Sequence, residues 1–330
     1  MRRLLIVLCG LGLALPASAA GAGGPVSPQQ GGAGVTAPGG DVAYVALGAG
    51  HRTVIERVRR AGGTVERYTN LPGSWGVPGV AWDGSATGLS ADGRTLVLSG
   101  GVGRYPVLRT HFVVLDALHL RTRARFAMPG WFNVDAISRT GRWLYLIHYP
   151  SARNTSRYEV RAYDLPNHHL LTKPVIDPRE PDEAMQGDPV TRAMSADGRW
   201  AYTLYQRGDG VPFIHALDTE RRTAACVDLP GLASADMSAM RLLLAPGGRS
   251  LRIVGPNGAV ALVDTRTFAV RPPPTAPAPL PALRPVAPAG DDPPWAVVAV
   301  ALAAVAALAT LGWRRGTRLH RRRWHRQASP

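Results

Sequence analysis

The chain has 330 residues, 38 Lys+Arg against 23 Asp+Glu, and a formal net charge of +15. A hydrophobic content of 45% excludes a disordered or collagen-like chain and leaves enough apolar side chain for one sizeable core. Two cysteines exclude a disulfide scaffold and any Cys-rich zinc or iron–sulfur module.

The excess charge sits at the two ends. Arg2 and Arg3 open the chain, and Arg314, Arg315, Arg318, Arg321, Arg322, Arg323 and Arg326 close it, with no acid beside them. The middle is close to balance, so the charge argues for membrane topology and not for nucleic acid, which needs a basic face on a folded domain. Lys173 is the only lysine.

Residues 1–19 read as a secretory signal peptide: two arginines, an apolar run from Leu4 to Leu15, then Ala17-Ser18-Ala19 before Ala20. Cys9 lies too close to Arg3 to serve as a lipoprotein cysteine. Residues 20–34 are rich in Gly, Ala and Pro and are expected to be disordered.

From residue 35 a repeat begins. Five turns align: Ala37-Pro38-Gly39-Gly40-Asp41, Ser90-Ala91-Asp92-Gly93-Arg94, Ser138-Arg139-Thr140-Gly141-Arg142, Ser195-Ala196-Asp197-Gly198-Arg199 and Ala245-Pro246-Gly247-Gly248-Arg249. Gly40, Gly93, Gly141, Gly198 and Gly248 are 53, 48, 57 and 50 residues apart. A strand-like run apolar on both faces follows each turn. A second run then ends in an acid: Glu56, Asp116, Asp164, Asp218 and Asp264. The turn glycines supply positive φ, and the aspartates cap the following turn. Asp92, Asp197 and the strand-ending aspartates are therefore read as structural. A period near 50 with four strands per unit predicts an all-β fold, a β-propeller of about five four-stranded blades over residues 35–270. The pattern S-A-D-G-R-x-x-Y, an apolar run and Asp-Thr resembles the WD40/YVTN-type β-propeller repeat superfamily. The first unit departs from it at Asp41, and no unit carries a full YVTN or GH…WD signature. The resemblance implies architecture and says almost nothing about activity.

The turns between first and second strands are short and stereotyped, whereas the loops on the opposite face are long and varied. Loops 99–112, 148–158 and 205–215 carry Arg104, Arg109, Arg153, Arg157 and Arg207. Segments 73–88, 130–136 and 177–192, read as inter-blade loops ringing the tunnel mouth, carry Trp75, Trp82, Asp83, Trp131, Asn133, Asp135, Asp182, Glu183 and Asp188. Function tends to occupy variable loops on a rigid scaffold. The expected partner site is thus Trp75, Trp82, Trp131, Asn133, Arg104, Arg153, Arg207, Asp182 and Glu183, suited to a protein or a cell-envelope ligand. The bland alternative packs the tryptophans between blades. A second alternative is a propeller hydrolase or lactonase using Asp83, Asp135 and Asp188, as some families with similar repeats do.

No enzymatic or cofactor motif stands out. There is no G-x-S-x-G elbow, HExxH, CxxC or Walker loop. Asp83-Gly84-Ser85-Ala86-Thr87-Gly88 mimics the start of a calcium loop, but its twelfth position is Arg94 where a bidentate Glu is required. His168-His169 is read as surface, Arg207-Gly208-Asp209 as a turn, and Cys226 as a buried small hydrophobe. No cofactor and no metal are expected.

Residues 271–294 contain ten prolines and predict an extended stalk, reaching about 75 Å at most. Residues 295–313, uncharged and bracketed by Trp295 and Trp313, predict a transmembrane helix about 28 Å long. The basic tail 314–330 then places the C-terminus in the cytoplasm and the propeller outside a cell membrane. Ala299, Ala303 and Ala307 form a small-residue stripe through which two such helices could pair as a homodimer.

Overall fold

A computed structural model describes residues 25–273, apart from 102–104, 152–154, 156, 183–184 and 209. The signal peptide, residues 274–294 of the stalk, the span, the tail, Arg104, Arg153 and Glu183 lie outside the described residues.

The chain folds as five successive four-stranded antiparallel sheets. The first holds β1 (Val35–Thr36), β2 (Val42–Ala49), β3 (Arg52–Arg59) and β4 (Thr64–Pro72). The second holds β5 (Trp75–Gly76), β6 (Thr95–Gly100), β7 (Arg109–Asp116) and β8 (Arg121–Pro129). The third holds β9 (Trp131–Ile137), β10 (Trp143–Tyr149), β11 (Arg157–Asp164) and β12 (His169–Pro174), and the short β13 (Met185–Gln186) adds to β11. The fourth holds β14 (Asp188–Met194), β15 (Trp200–Gln206), β16 (Phe213–Asp218) and β17 (Thr223–Asp228). The fifth holds β18 (Arg241–Leu244), β19 (Ser250–Gly255), β20 (Gly258–Asp264) and β21 (Val270–Arg271). Two short 3-10 turns, Pro230–Leu232 and Met237–Ala239, are the only helical elements among the described residues. Each sheet is a simple meander, and five in succession make the architecture of a β-propeller.

The apolar runs owe their lack of alternation to burial on both faces. In β6, Leu96 and Leu98 pack with the first sheet, while Val97 between them packs with the third. In β10, Leu144 and Leu146 face the second sheet, and Tyr145 and Ile147 face the fourth. The fourth and fifth sheets share the largest cluster, from Val190 to Val263. Among the described residues no buried apolar cluster joins the fifth sheet to the first.

The repeated turn has a local cause. Ser90 Oγ accepts the Thr95 N–H at 2.9 Å and donates to Asp92 at 2.6 Å, and the Asp92 carboxylate also accepts the Arg94 N–H. Ser195, Asp197, Arg199 and Trp200 repeat the pattern. Gly40, Gly93, Gly141, Gly198 and Gly248 all have φ between 69° and 83°. At the neighbouring hairpin on the same end of each sheet, between its third and fourth strands, Asp116, Asp164, Asp218 and Asp264 accept amide hydrogens two or three residues ahead. The fourth residue after each of these aspartates is left-handed: Leu120, His168, Arg222 and Phe268. The His119 amide, with Arg123, holds the Asp116 carboxyl down to about 2. Glu56 differs, because β3 continues past it to Arg59 and the first sheet turns on glycines instead.

Three expectations are corrected. Residues 130–136 are not a loop: all but Gly130 fall in β9, the innermost strand of the third sheet, and every residue of β9 is buried. In 73–88, Trp75–Gly76 forms the innermost strand and the remainder folds as a hairpin bridged at Gly79 and Ala86. Residues 25–34 are docked and not disordered. Gln29 exchanges backbone hydrogen bonds with Val77 at 2.7 and 2.9 Å, and a Cβ on Gly76 or Gly79 would crowd this segment.

The turn glycines separate two physical effects. A methyl at Gly198 would overlap the side chain of Ala91, whereas one at Gly247 meets nothing within 4 Å. Gly247→Ala should cost about 1 kcal/mol from its left-handed backbone alone, and Gly198→Ala roughly 2–3 kcal/mol. Urea denaturation of both variants checks this, and equal losses would mean that the turns do not pack on one another.

Candidate functional site

Asn133 and Asp135 on β9 and Asp188 on β14 lie on innermost strands, and the structure pairs Asn133 and Asp135 inward. Asp135 is the extra residue of a bulge in β9, where Tyr145 pairs with Ala136 and Leu146 with Val134. A bulge re-aims a side chain. Here it turns Asp135 to Arg192 of β14, which donates to both its carboxylate and its carbonyl. Arg192 also donates to Thr203 Oγ1 at 2.9 and 2.6 Å. Both side chains are out of solvent, at 3% and 1% exposure. Asn133 donates to the Val26 carbonyl at 2.8 Å, fixing the docked N-terminal segment.

Asp83 is exposed at the tip of the 77–89 hairpin, where it caps the Ser85 amide at 2.9 Å. The Trp82 and Asp83 amides donate to the Pro189 and Val190 carbonyls at the start of β14. Asp188 is half-buried, and burial raises its carboxyl above the usual range. Among the described residues, the only three metal-ligating groups within 4.8 Å of one another are Asp177, Glu180 and Cys226. The structure therefore does not gather Asp83, Asp135 and Asp188 into one centre.

From Arg192 a polar row crosses the fourth sheet. Arg192 is opposite Thr203, Thr203 opposite His215, and His215 opposite Cys226, so all four share a face. His215 is 1% exposed, and burial pushes its imidazole down to about 4, so it is neutral at pH 7. Tyr149, Tyr158 and Tyr205 pack beside this row, each held in the phenol form mainly by burial.

The tryptophans differ in placement. Trp75 is buried between the first and second sheets, with its indole donating to the Pro72 carbonyl at 2.8 Å. Trp82 is half-buried on the hairpin. Trp131 is buried, meets Tyr149 and lies edge-on to Tyr105 at 5.9 Å. Asp182 is exposed. Arg207 pairs with Asp228, donates to the Val211 carbonyl and lies over the Phe213 ring at 5.0 Å.

Of these, Trp131 and Asn133 line an open groove between the second and third sheets. Its floor is Ser99, Gly100, Gly101, Trp131, Phe132 and Asn133, and its wall is residues 106–111. The rim projects apolar side chains into solvent: Leu108 is 78% exposed and Tyr105, adjoining it, 62%. Arg109 and His111 are exposed beside them. Below, Ser99 Oγ and Trp131 Nε1 are buried with no hydrogen-bond partner. Leu108, Tyr105 and Ser99 were not singled out from the sequence. Their signal was the length of loop 99–112.

No protein-family model and no curated protein matches the sequence. Among solved structures the chain is similar to the hydrazine synthase of Kuenenia stuttgartiensis, at 11% identity over 72% of this chain and 64% of that one, with a TM-score of 0.43. It is similar to the β-propeller domain of Cps50 (Swd1) from Myceliophteria thermophila, at 10% identity over 75% and 72%, with a TM-score of 0.42. It is also similar to TolB from Acinetobacter baumannii, at 14% identity over 72% and 54%, with a TM-score of 0.41. The chain spans less than two thirds of the first and third of these. None of these likenesses bears on activity, and the propeller assignment rests on the strand order itself.

The ion pair between the third and fourth sheets is a stability test. Asp135→Ala strands the Arg192 charge and should cost about 3–5 kcal/mol, whereas Asp135→Leu combined with Arg192→Met should lose far less. Urea titration of the single and double variants measures the difference. Equal losses would show that the pair does not act as a unit.

Proposed function

We propose that this protein is a membrane-anchored, extracytoplasmic β-propeller that binds a protein or cell-envelope ligand on its long-loop face, through the groove between the second and third sheets. The observation that carries this reading is the exposed apolar rim, Tyr105 and Leu108, beside an open groove lined by Trp131 and Asn133. An apolar surface rimmed by polar residues favours association. Arg109 on the wall adds attraction for an acidic group.

The anchoring part of the proposal rests on the sequence. A signal peptide at 1–19, a proline stalk at 271–294 and an uncharged stretch at 295–313 followed by arginines place the propeller outside and the tail inside. Among the described residues no helix is long and apolar enough to cross a membrane, and the proposed span lies outside them.

Cross-linking of the full-length protein in its native membrane, read by mass spectrometry, tests this. Leu108→Asp with Arg109→Glu changes only exposed side chains and should leave stability within about 0.5 kcal/mol. The expected result is one stoichiometric partner whose yield falls at least about tenfold in the variant, as for losing over 1.4 kcal/mol of binding. An unchanged cross-link pattern would refute the groove as the binding surface.

A further inference from the structure

The docked N-terminal segment lies on a bed shaped for a chain. Residues 26–31 touch three sheets. Asn133 of β9 donates to the Val26 carbonyl at 2.8 Å, Gln29 and Val77 exchange backbone hydrogen bonds as an antiparallel bridge, and the Gly31 amide donates to the Ala46 carbonyl of β2 at 2.6 Å. Gln30 Nε2 donates to Ser74 Oγ at 3.1 Å and to the Trp75 carbonyl at 2.9 Å, and Gln29 Nε2 to the Gly84 carbonyl at 3.3 Å. A Cβ on Gly76 would lie within 2.9 Å of Pro28 and Gln29, and one on Gly79 within 2.9 Å of Val26 and Ser27. Neither glycine has a left-handed backbone, and at each the three nearest atoms belong to this segment. Glycine therefore serves here for the close approach of another stretch of chain and not for a turn.

That stretch is not part of the core. No residue of 25–34 except its successor Val35 reaches the buried class, and none belongs to an apolar cluster. It joins β1 through Gly31-Gly32-Ala33-Gly34, and a Cβ on Gly31 or Gly32 would meet nothing within 4 Å, so the joint has room to swing. We propose that the edge Ser74–Gly79 is a peptide-acceptor track, filled by the protein's own residues 26–31, and that a partner protein engages it with an extended, uncharged segment that takes their place. The groups that hold the present occupant set that chemistry. Val77 offers a backbone donor and acceptor, Asn133 donates to a carbonyl, and the Trp75 and Gly84 carbonyls accept side-chain amides. None of these groups is charged, so the track selects an extended backbone able to lie on the glycines, as in strand addition to a sheet edge. Pro28 also lines the groove between the second and third sheets, so its departure would widen that surface. This last consequence alone rests on the groove reading.

A fluorescent synthetic peptide of residues 25–32, added to the full-length protein and read by anisotropy, tests the track. In the unsubstituted chain the attached segment competes at an effective concentration on the order of millimolar, so the peptide should bind weakly. Deletion of residues 26–31, or Gln29→Pro in the uncut chain, empties the track, and a cooperative urea transition shows that each variant is folded. The expected result is one peptide per chain, bound at least about tenfold more tightly than by the unsubstituted protein, with that gain lost when Gly79→Ala is added. No gain in either folded variant, or a gain that Gly79→Ala leaves intact, would overturn the proposal. A dimer abolished by the deletion would also overturn it, because the segment would then be exchanged between two copies. Peptide binding lost in Leu108→Asp with Arg109→Glu would place the peptide in the groove and overturn the track as a separate site.

Discussion

A sheet whose two faces are both apolar cannot end at water, and the rest of this structure follows from that constraint. Each four-stranded unit covers one face of the next, so that alternate residues of a single strand serve different neighbours, as Leu96 and Val97 do. No unit could hold its fold alone, and stability comes from stacking. The third and fourth sheets meet differently. There the apolar contacts are interrupted by Asp135, Arg192, Thr203 and His215, a polar seam running outward to Cys226 and Asp177. Such a seam holds only if its charges are paired, as Asp135 and Arg192 are, because an unpaired charge in that interior costs several kcal/mol.

The architecture was legible because its cause is local. Positive-φ glycines, a serine that caps its own turn and an aspartate that caps the next are written within a few residues of one another, and they recur. The innermost strands were not legible, and the reason is physical. Trp131–Ile137 mixes Asn133 and Asp135 with apolar residues, which in a single sequence looks like a loop. Its polar residues are buried because Val26 and Arg192, 107 and 57 residues away, meet them. The docking of residues 25–34 has the same origin, since nothing in a Gly- and Pro-rich stretch announces that Gly76 and Gly79 have left room for it.

This also explains where the candidate site lies. Residues such as Trp75 and Asn133 are the types that a binding rim uses, but the same types fill the gaps between sheets. Sequence spacing cannot separate the two. The structure separates them by what each atom meets: the Trp75 indole is satisfied by Pro72, whereas that of Trp131 is buried unsatisfied on the floor of an open groove. Tyr105 and Leu108 complete the groove from a loop whose length was its only sequence signal.

If the groove is the working surface, its rim is covered where the protein acts. Oxidative footprinting of Tyr105 and Leu108 in intact cells, compared with the purified protein, measures that cover directly. The binding account predicts strong protection of both side chains in cells, with no change at Tyr68, which is 70% exposed on the outer strand of the first sheet. Equal labelling of Tyr105 and Leu108 in both settings would contradict it.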